Sequence, residues 1–392
     1  MRNSFIIFLI FSLLGWVKST YFEAYNGFLS KYDKKFFSQN LKFNYINTDV
    51  NLDTSIGEAF HGLASIGDWL MQAPQDHHSL VFYNIVSGEV KEINVSKYGT
   101  ATSKKEVNFR DKFNGTVSDG KRFIWVAPSW ASHALKIDVQ SFAITQDFKV
   151  NSRFSDAYNG IVLTEKYVWL VTHSKEDLPR INRKTGALTF IKLKEESLGD
   201  YNFGNGADNR SFFGGSDNLD GHIFLHPRRS KFIIKVNEES GEIVAKYEHP
   251  FSKFKSPNHG YFYGARNVKN KLFFAPWAYK KVVIFDTATE KFKVIDVELT
   301  GSSQYNFCSA SDGNSIWFPP FKSRHIVKIN ASNENIKLID AGDMINSFNE
   351  GRTRTNFDMN YGFAGASLVK GKNVWFSSSF ESSYIKMPID YE

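Results

Sequence analysis

Short apolar runs separated by turn residues fill the chain from about residue 60 onward. The clearest stretch reads FYGARNV, a turn at Lys269-Asn270-Lys271, LFFAP, the loop WAYKK, then VVIFD, the turn TATEK and FKVIDVEL. These are four runs rich in Val, Ile and Phe that alternate or stay apolar throughout. That is the pattern of strands in sheets packed on both faces, and no helical period fits between them. The unit predicts four short antiparallel strands, lettered A to D from first to last.

The unit recurs. An aromatic residue leads into a small-residue step and then a hydrophobic strand at FHGLAS (Phe60), FNGTVS (Phe113), YNGIVL (Tyr158), FFGGSD (Phe212), FYGARN (Phe262), NFCSAS (Asn306) and GFAGAS (Gly362). The intervals are 53, 45, 54, 50, 44 and 56 residues. A period near fifty with several strands each time is that of β-propeller blades. The fold class predicted is therefore all-β, a seven-bladed propeller of four-stranded antiparallel blades. Strand A lines the central channel, where a bulky third residue would clash; that residue is Gly62, Gly115, Gly160, Gly214, Gly264, Cys308 and Ala364. The aromatic on strand B (Trp69, Trp125, Trp169, Phe224, Phe274, Trp317 and Trp375) fills the wedge between adjacent blades.

The last unit supplies GFAGASLV, NVWFSSS and SYIKMPI before the sequence stops, one strand short. Upstream of the first unit, LKFNYINTDV (residues 41–50) resembles the outer strand FKVIDVEL. It is expected to complete the seventh blade, so that an N-terminal strand closes the ring and removes its raw sheet edges. The propeller would then span 41–392. In residues 20–40, Phe22, Tyr25, Phe28, Leu29, Tyr32 and Phe36 recur at helical spacing and suggest an amphipathic segment.

The first nineteen residues pair Arg2 with an apolar run from Phe5 to Val17 and a small Ser19. They read as a secretory signal peptide, too short in its apolar part for a membrane span. The expected location is therefore secreted and extracellular, with no membrane span after cleavage. Losing Arg2 and Lys18 lowers the net charge from +7 to +5. With Lys and Arg scattered among acids, nucleic acid is not an expected partner. The lone Cys308 forms no internal disulfide. Four tripeptides starting at Asn94, Asn114, Asn209 and Asn330 are N-glycosylation sequons.

Candidate chemistry falls on the loops between strands B and C: PQDHHS, PSWASH, THSKED, HPRRS, PWAYKK, PFKSRH and SSFESS. Together with the D-to-A connections they form one face of a propeller, and eight of the ten histidines are assigned to it. His133, His173 and His226 are the candidate acid or base residues. Trp130, Trp277, Tyr279 and Phe321 can stack on sugar rings or a peptide, with His77, Arg228 and Arg324 as polar partners. No metal-ligand spacing, phosphate loop or nucleophile motif is present, and no cofactor is expected.

YVWLVTHSKEDLPRINRKTGALTFIKL, SIWFPPFKSRHIVKIN and NVWFSSSFESSYIKMPI are similar to repeats of the streptogramin lyase and NHL type of propeller. The resemblance implies the fold. In the lyases the Trp-Phe strand often runs into Thr and an acidic residue; here it runs into Val-Ala-Pro, Leu-Val-Thr, Phe-Pro-Pro and Phe-Ser-Ser. No catalytic residue carries over. The expected function is a secreted protein that binds an extracellular glycan or protein at its loop face. The alternatives are a lyase or hydrolase acting on a polyanionic or glycosidic substrate, and a structural component of a secreted matrix or coat.

Overall fold

A computed structural model describes residues 44–48, 50, 60–98, 112–150, 158–172, 177–193, 213–254, 260–262, 264–275, 279–299, 309–320, 323–349, 367–378 and 382–390. The predicted leader, the 20–40 segment, Cys308, His173, Trp277, Phe321 and Asn209 lie outside these residues. The propeller occupies the compact unit Tyr45–Asp390.

Seven four-stranded antiparallel sheets follow one another along the chain. Their inner strands are Phe60–Ile66, Phe113–Ser118, Tyr158–Leu163, Phe213–Leu219, Ala265–Val268, Ala310–Ser311 and Ser367–Lys370. Each inner strand lies against that of the next blade, and the seventh returns to the first, so the sheets form a closed ring. The closing strand, Asn44–Asn47, is the outermost of the seventh sheet, beside Ser383–Pro388. Thr48 extends this pairing: its N–H and its hydroxyl donate to the Ser382 carbonyl at 3.0 and 2.6 Å. The ring is closed by an N-terminal strand, as the repeat arithmetic required.

The core is a set of wedges between blades. Trp125 (blade two) packs with Val168 and Ile181 of blade three, Trp169 with Ile223 and Ile234 of blade four, and Trp375 with Leu63 and Leu70 of blade one. Burying one such ring removes roughly 200 Å² of surface, worth about 5 kcal/mol at 25 cal/mol per Å². Directly across from five of these aromatics, strand C places a cation. Lys136, Arg180, Lys235, Lys328 and Lys386 pair in register with Trp125, Trp169, Phe224, Trp317 and Trp375. They lie 5.1, 5.2, 5.7, 5.3 and 5.7 Å from the ring centroids. Charge against the ring face adds cation–π attraction where the blade meets water. In blade five Phe274 faces Val283 instead.

Two residues after four of those cations, and at the matching position of blades one and five, an Asn or Asp opens the turn from strand C to strand D. Oδ1 of Asn84, Asn182, Asn237, Asp286 and Asn330 each accepts two backbone N–H groups of its own turn, and Oδ1 of Asp138 accepts one. These Asx turns satisfy donors that no ladder reaches. The face carrying them is accordingly almost the same in six blades.

Candidate functional site

The opposite face begins with a repeated irregularity. Inner strands one to four each carry a β-bulge: the register passes from Phe60 to Gly62, Phe113 to Gly115, Tyr158 to Gly160 and Phe213 to Gly215. The extra residues are His61, Asn114, Asn159 and Gly214. Bulges end a ladder and re-aim a side chain. They explain the aromatic-x-Gly signature of these four blades: the middle residue is the bulge, and in blades one to three the Gly after it packs on the next blade. A Cβ on Gly115 would lie 2.9 Å from the Gly160 carbonyl carbon, and one on Gly160 would lie 3.1 Å from the Gly215 Cα. Blade four corrects the repeat alignment by one residue, because its paired glycine is Gly215 rather than Gly214.

Polar side chains are buried where blades one and two meet this face. Lys112 is 1% exposed, Asp76 4%, His77 5%, Asn114 6% and His61 7%. Lys112 joins the two blades. Its Nζ donates to the carbonyls of Asp76 (3.1 Å) and His77 (3.0 Å), its N–H to Gln75, and its own carbonyl accepts from Ser129 and Ala131. A buried ammonium survives because it is hydrogen-bonded. His77 packs 5.3 Å from the Phe60 ring, and its Nε2 stands 3.6 Å from Glu92, beyond hydrogen-bond reach. Neither of its ring nitrogens makes a hydrogen bond. Burial pushes its pKa down, with Lys112 and His78 adding to this and Glu92 opposing it. Burial, together with the charge of Arg228 on blade four, lowers His61 to about 4. Buried polar atoms are normally satisfied, and the His77 ring is an exception within this cluster.

The B-to-C loops lie where the sequence placed them, between Pro74 and Ser79, Pro128 and His133, Thr172 and Asp177, Pro227 and Phe232, Phe274 and Lys281, Phe318 and His325, and Ser377 and Ser383. Their candidate residues differ in what they are free to do. His226 is 1% exposed. The Ala265 N–H donates to Nδ1 at 3.1 Å, which leaves the ring proton on Nε2. That Nε2 stands 3.1 Å from the Asp217 carboxylate, off line for a hydrogen bond. His226 therefore joins blades four and five through Nδ1, while its Nε2 faces Asp217 without a hydrogen bond. His133 is half-buried, with Nδ1 2.7 Å from the Ser132 hydroxyl and its ring 5.5 Å from Tyr98. Arg324 is committed to Asp340, with contacts of 2.9, 3.0 and 2.7 Å that hold the carboxylate below its usual range. Trp130 and Arg228 are half-buried.

Tyr279 packs at a tilt 4.4 Å from Phe251 and 6.2 Å from Phe254, and Phe254 is 59% exposed. Phe254 lies in a D-to-A connection, outside the B-to-C loops that supply the candidate aromatics. His249 was missed in the sequence, because it directly follows the outer strand Ile243–Glu248. Burial holds it at about 4, and its ring contacts Tyr261 and Phe262. Among the described residues, no three His, Cys, Asp or Glu side chains are grouped to hold a metal.

No protein-family model matches the sequence, and no curated protein matches it. Similar folds occur among solved structures. The virginiamycin B lyase of Staphylococcus aureus superposes with a TM-score of 0.62 at 14% identity, covering 88% of this chain and 98% of the lyase. A streptogramin B lyase gives 0.63 at 14%, covering 88% and 97%. The RRP9 WD40 repeats give 0.62 at 9%, again covering 88% and 97%. A lyase and a WD40 repeat protein thus fit this ring about equally well. At such identities the likeness establishes the seven-bladed propeller and nothing about chemistry.

A cleft of about 670 Å³ opens on the other face, among blades two, three and four. Several of its charged groups join neighbouring turns: Lys166 pairs with Glu239, and Arg183 lies 3.9 Å from Asp119. Its volume is the gap between stapled turns. The buried polar cluster belongs to the loop face. Among the described residues, no helix is long and apolar enough to cross a membrane.

Proposed function

We propose that the chain is a secreted binding protein that takes an extracellular glycan or protein ligand at the loop face of the propeller. The observation that carries this reading is His77, 5% exposed, with neither ring nitrogen hydrogen-bonded, inside a buried polar cluster that also holds Lys112 and Asn114. A ligand hydroxyl or amide would supply the missing partner. The Arg228 guanidinium would favour acidic groups on that ligand, and Tyr279 with exposed Phe254 would give a surface for a sugar ring or an apolar side chain. The signal-like leader supplies the compartment.

The test is binding of the purified chain to a glycan array and to extracellular protein extracts, repeated with Arg228→Ala, Phe254→Ala and Lys184→Ala. The first two variants should lose binding, and Lys184→Ala, on the opposite face, should keep it. Binding that survives both loop-face changes but fails with Lys184→Ala would overturn the reading.

A further inference from the structure

The sequons present their asparagines very differently. Asn94 is exposed at the end of the outer strand of blade one. Its Oδ1 accepts the Ser96 N–H at 2.9 Å and the Ser96 hydroxyl at 2.5 Å. Asn330, also exposed, opens the C-to-D turn of blade six, and its Oδ1 accepts the N–H groups of Ser332 (2.9 Å) and Asn333 (3.2 Å). In both, the turn uses Oδ1 and leaves Nδ2 directed away from it. Asn114 is the bulge residue at the channel mouth, 6% exposed, with its carbonyl 3.1 Å from where a Cβ on Gly62 would sit.

We propose that Asn94 and Asn330 carry N-linked glycans and that Asn114 stays bare. The inference rests on the secreted reading above. In the transfer, Nδ2 attacks the anomeric carbon of an oligosaccharide carried on a lipid pyrophosphate. The new N–C bond forms as the C–O bond to pyrophosphate breaks. The lipid pyrophosphate departs with the bonding electrons, and the amide nitrogen gives up one proton. The product keeps Oδ1 and one N–H, so an Asx turn built on Oδ1 survives. Attachment precedes folding, and the folded ring then decides which products persist. Sugar on Asn94 or Asn330 projects into solvent. Sugar on Asn114 would have to occupy the packed junction of blades one and two, and such a chain could not close its ring. Both accepted positions also leave the channel mouth open, one at the outer rim and the other on the opposite face.

The repeat supplies its own controls. Asn84, Asn182 and Asn237 make the same turn as Asn330 but have Val86, Lys184 and Glu239 in place of its Ser332. Their amides are presented alike and should remain unmodified.

The full chain, with its own leader, is expressed in cultured animal cells and recovered from the medium. Enzymatic deglycosylation in ¹⁸O-water followed by peptide mass spectrometry then reads each site. Asn94 and Asn330 should appear as ¹⁸O-labelled aspartate, while Asn114, Asn84, Asn182 and Asn237 should not. Ser96→Ala and Ser332→Ala should each remove one glycan and leave the fold intact, because the backbone bonds to Oδ1 remain. Label at Asn114 in secreted, folded protein overturns the inference, as does either accepted site found bare in most molecules. A chain retained in the cell overturns the secretory reading instead; the same measurement behind an unrelated leader then decides the sequons.

Discussion

The two faces of the ring are built from the same strands and follow opposite rules. On one face, six blades turn from strand C to strand D with the same Asn or Asp side chain accepting the same backbone donors. On the other, each blade solves its loop differently: a buried lysine between blades one and two, a histidine between an aspartate and a backbone amide at blades four and five, an arginine–aspartate fork at blade six. Repetition marks what any blade needs in order to be a blade. Residues peculiar to one blade are where a binding surface is made.

Acid should separate the faces most strongly. His61 and His249, both of the loop face, have folded pKa values lowered to about 4 from 6.5. The unfolded chain therefore takes up their protons first. Stability present above pH 6.5 is lost as pH falls toward 4, below which both states are protonated and no more is lost. Each histidine should contribute a slope on the order of 1 kcal/mol per pH unit in that window. Urea melts across pH 7 to 4 measure it, and His249→Leu should flatten the curve. An unchanged slope would remove His249 from the account.

Gly115→Val comes next. Its Cβ would meet the Gly160 backbone, which cannot swing aside, so a loss of about 3 kcal/mol in denaturant stability is expected. Lys112→Met should cost about 2 kcal/mol, because two carbonyls lose a charged donor. It should also weaken ligand capture, whereas a change confined to stability would leave Lys112 as a strut alone. Asn237→Ala is the smallest, about 1 kcal/mol for one of six equivalent turns, with binding unchanged. If it removed binding, the division of labour between the faces would fail.

Much of this was readable from residues alone. Strand positions, the B-to-C loops and the closing strand followed from the spacing of apolar runs, because a blade cannot bury its faces without them. The bulges were not readable: an extra residue such as His61 leaves the apolar alternation around it intact, and only pairing with the neighbouring strand exposes it. The blade-four slip between Gly214 and Gly215 has the same origin. The bond from Ala265 of the next blade to His226 Nδ1 is equally invisible in the sequence. The charge of Arg228 in blade four is felt by His61 in blade one, a relation made by the circle and invisible along the line.

The closing strand also pairs segments that are made far apart in time. Thr48 and Ser382 stand 334 positions apart, so the first strand of the propeller to leave a ribosome waits for nearly the last. Joining ends at that separation carries an entropy cost that grows only with the logarithm of length, and once the last strands emerge the ring can lock in a single step. Until then the nascent ring keeps an open seam between its first and seventh blades. A chain cut short before Ser382 keeps six finished blades and an unpaired closing strand, a bare sheet edge where the ring should seal.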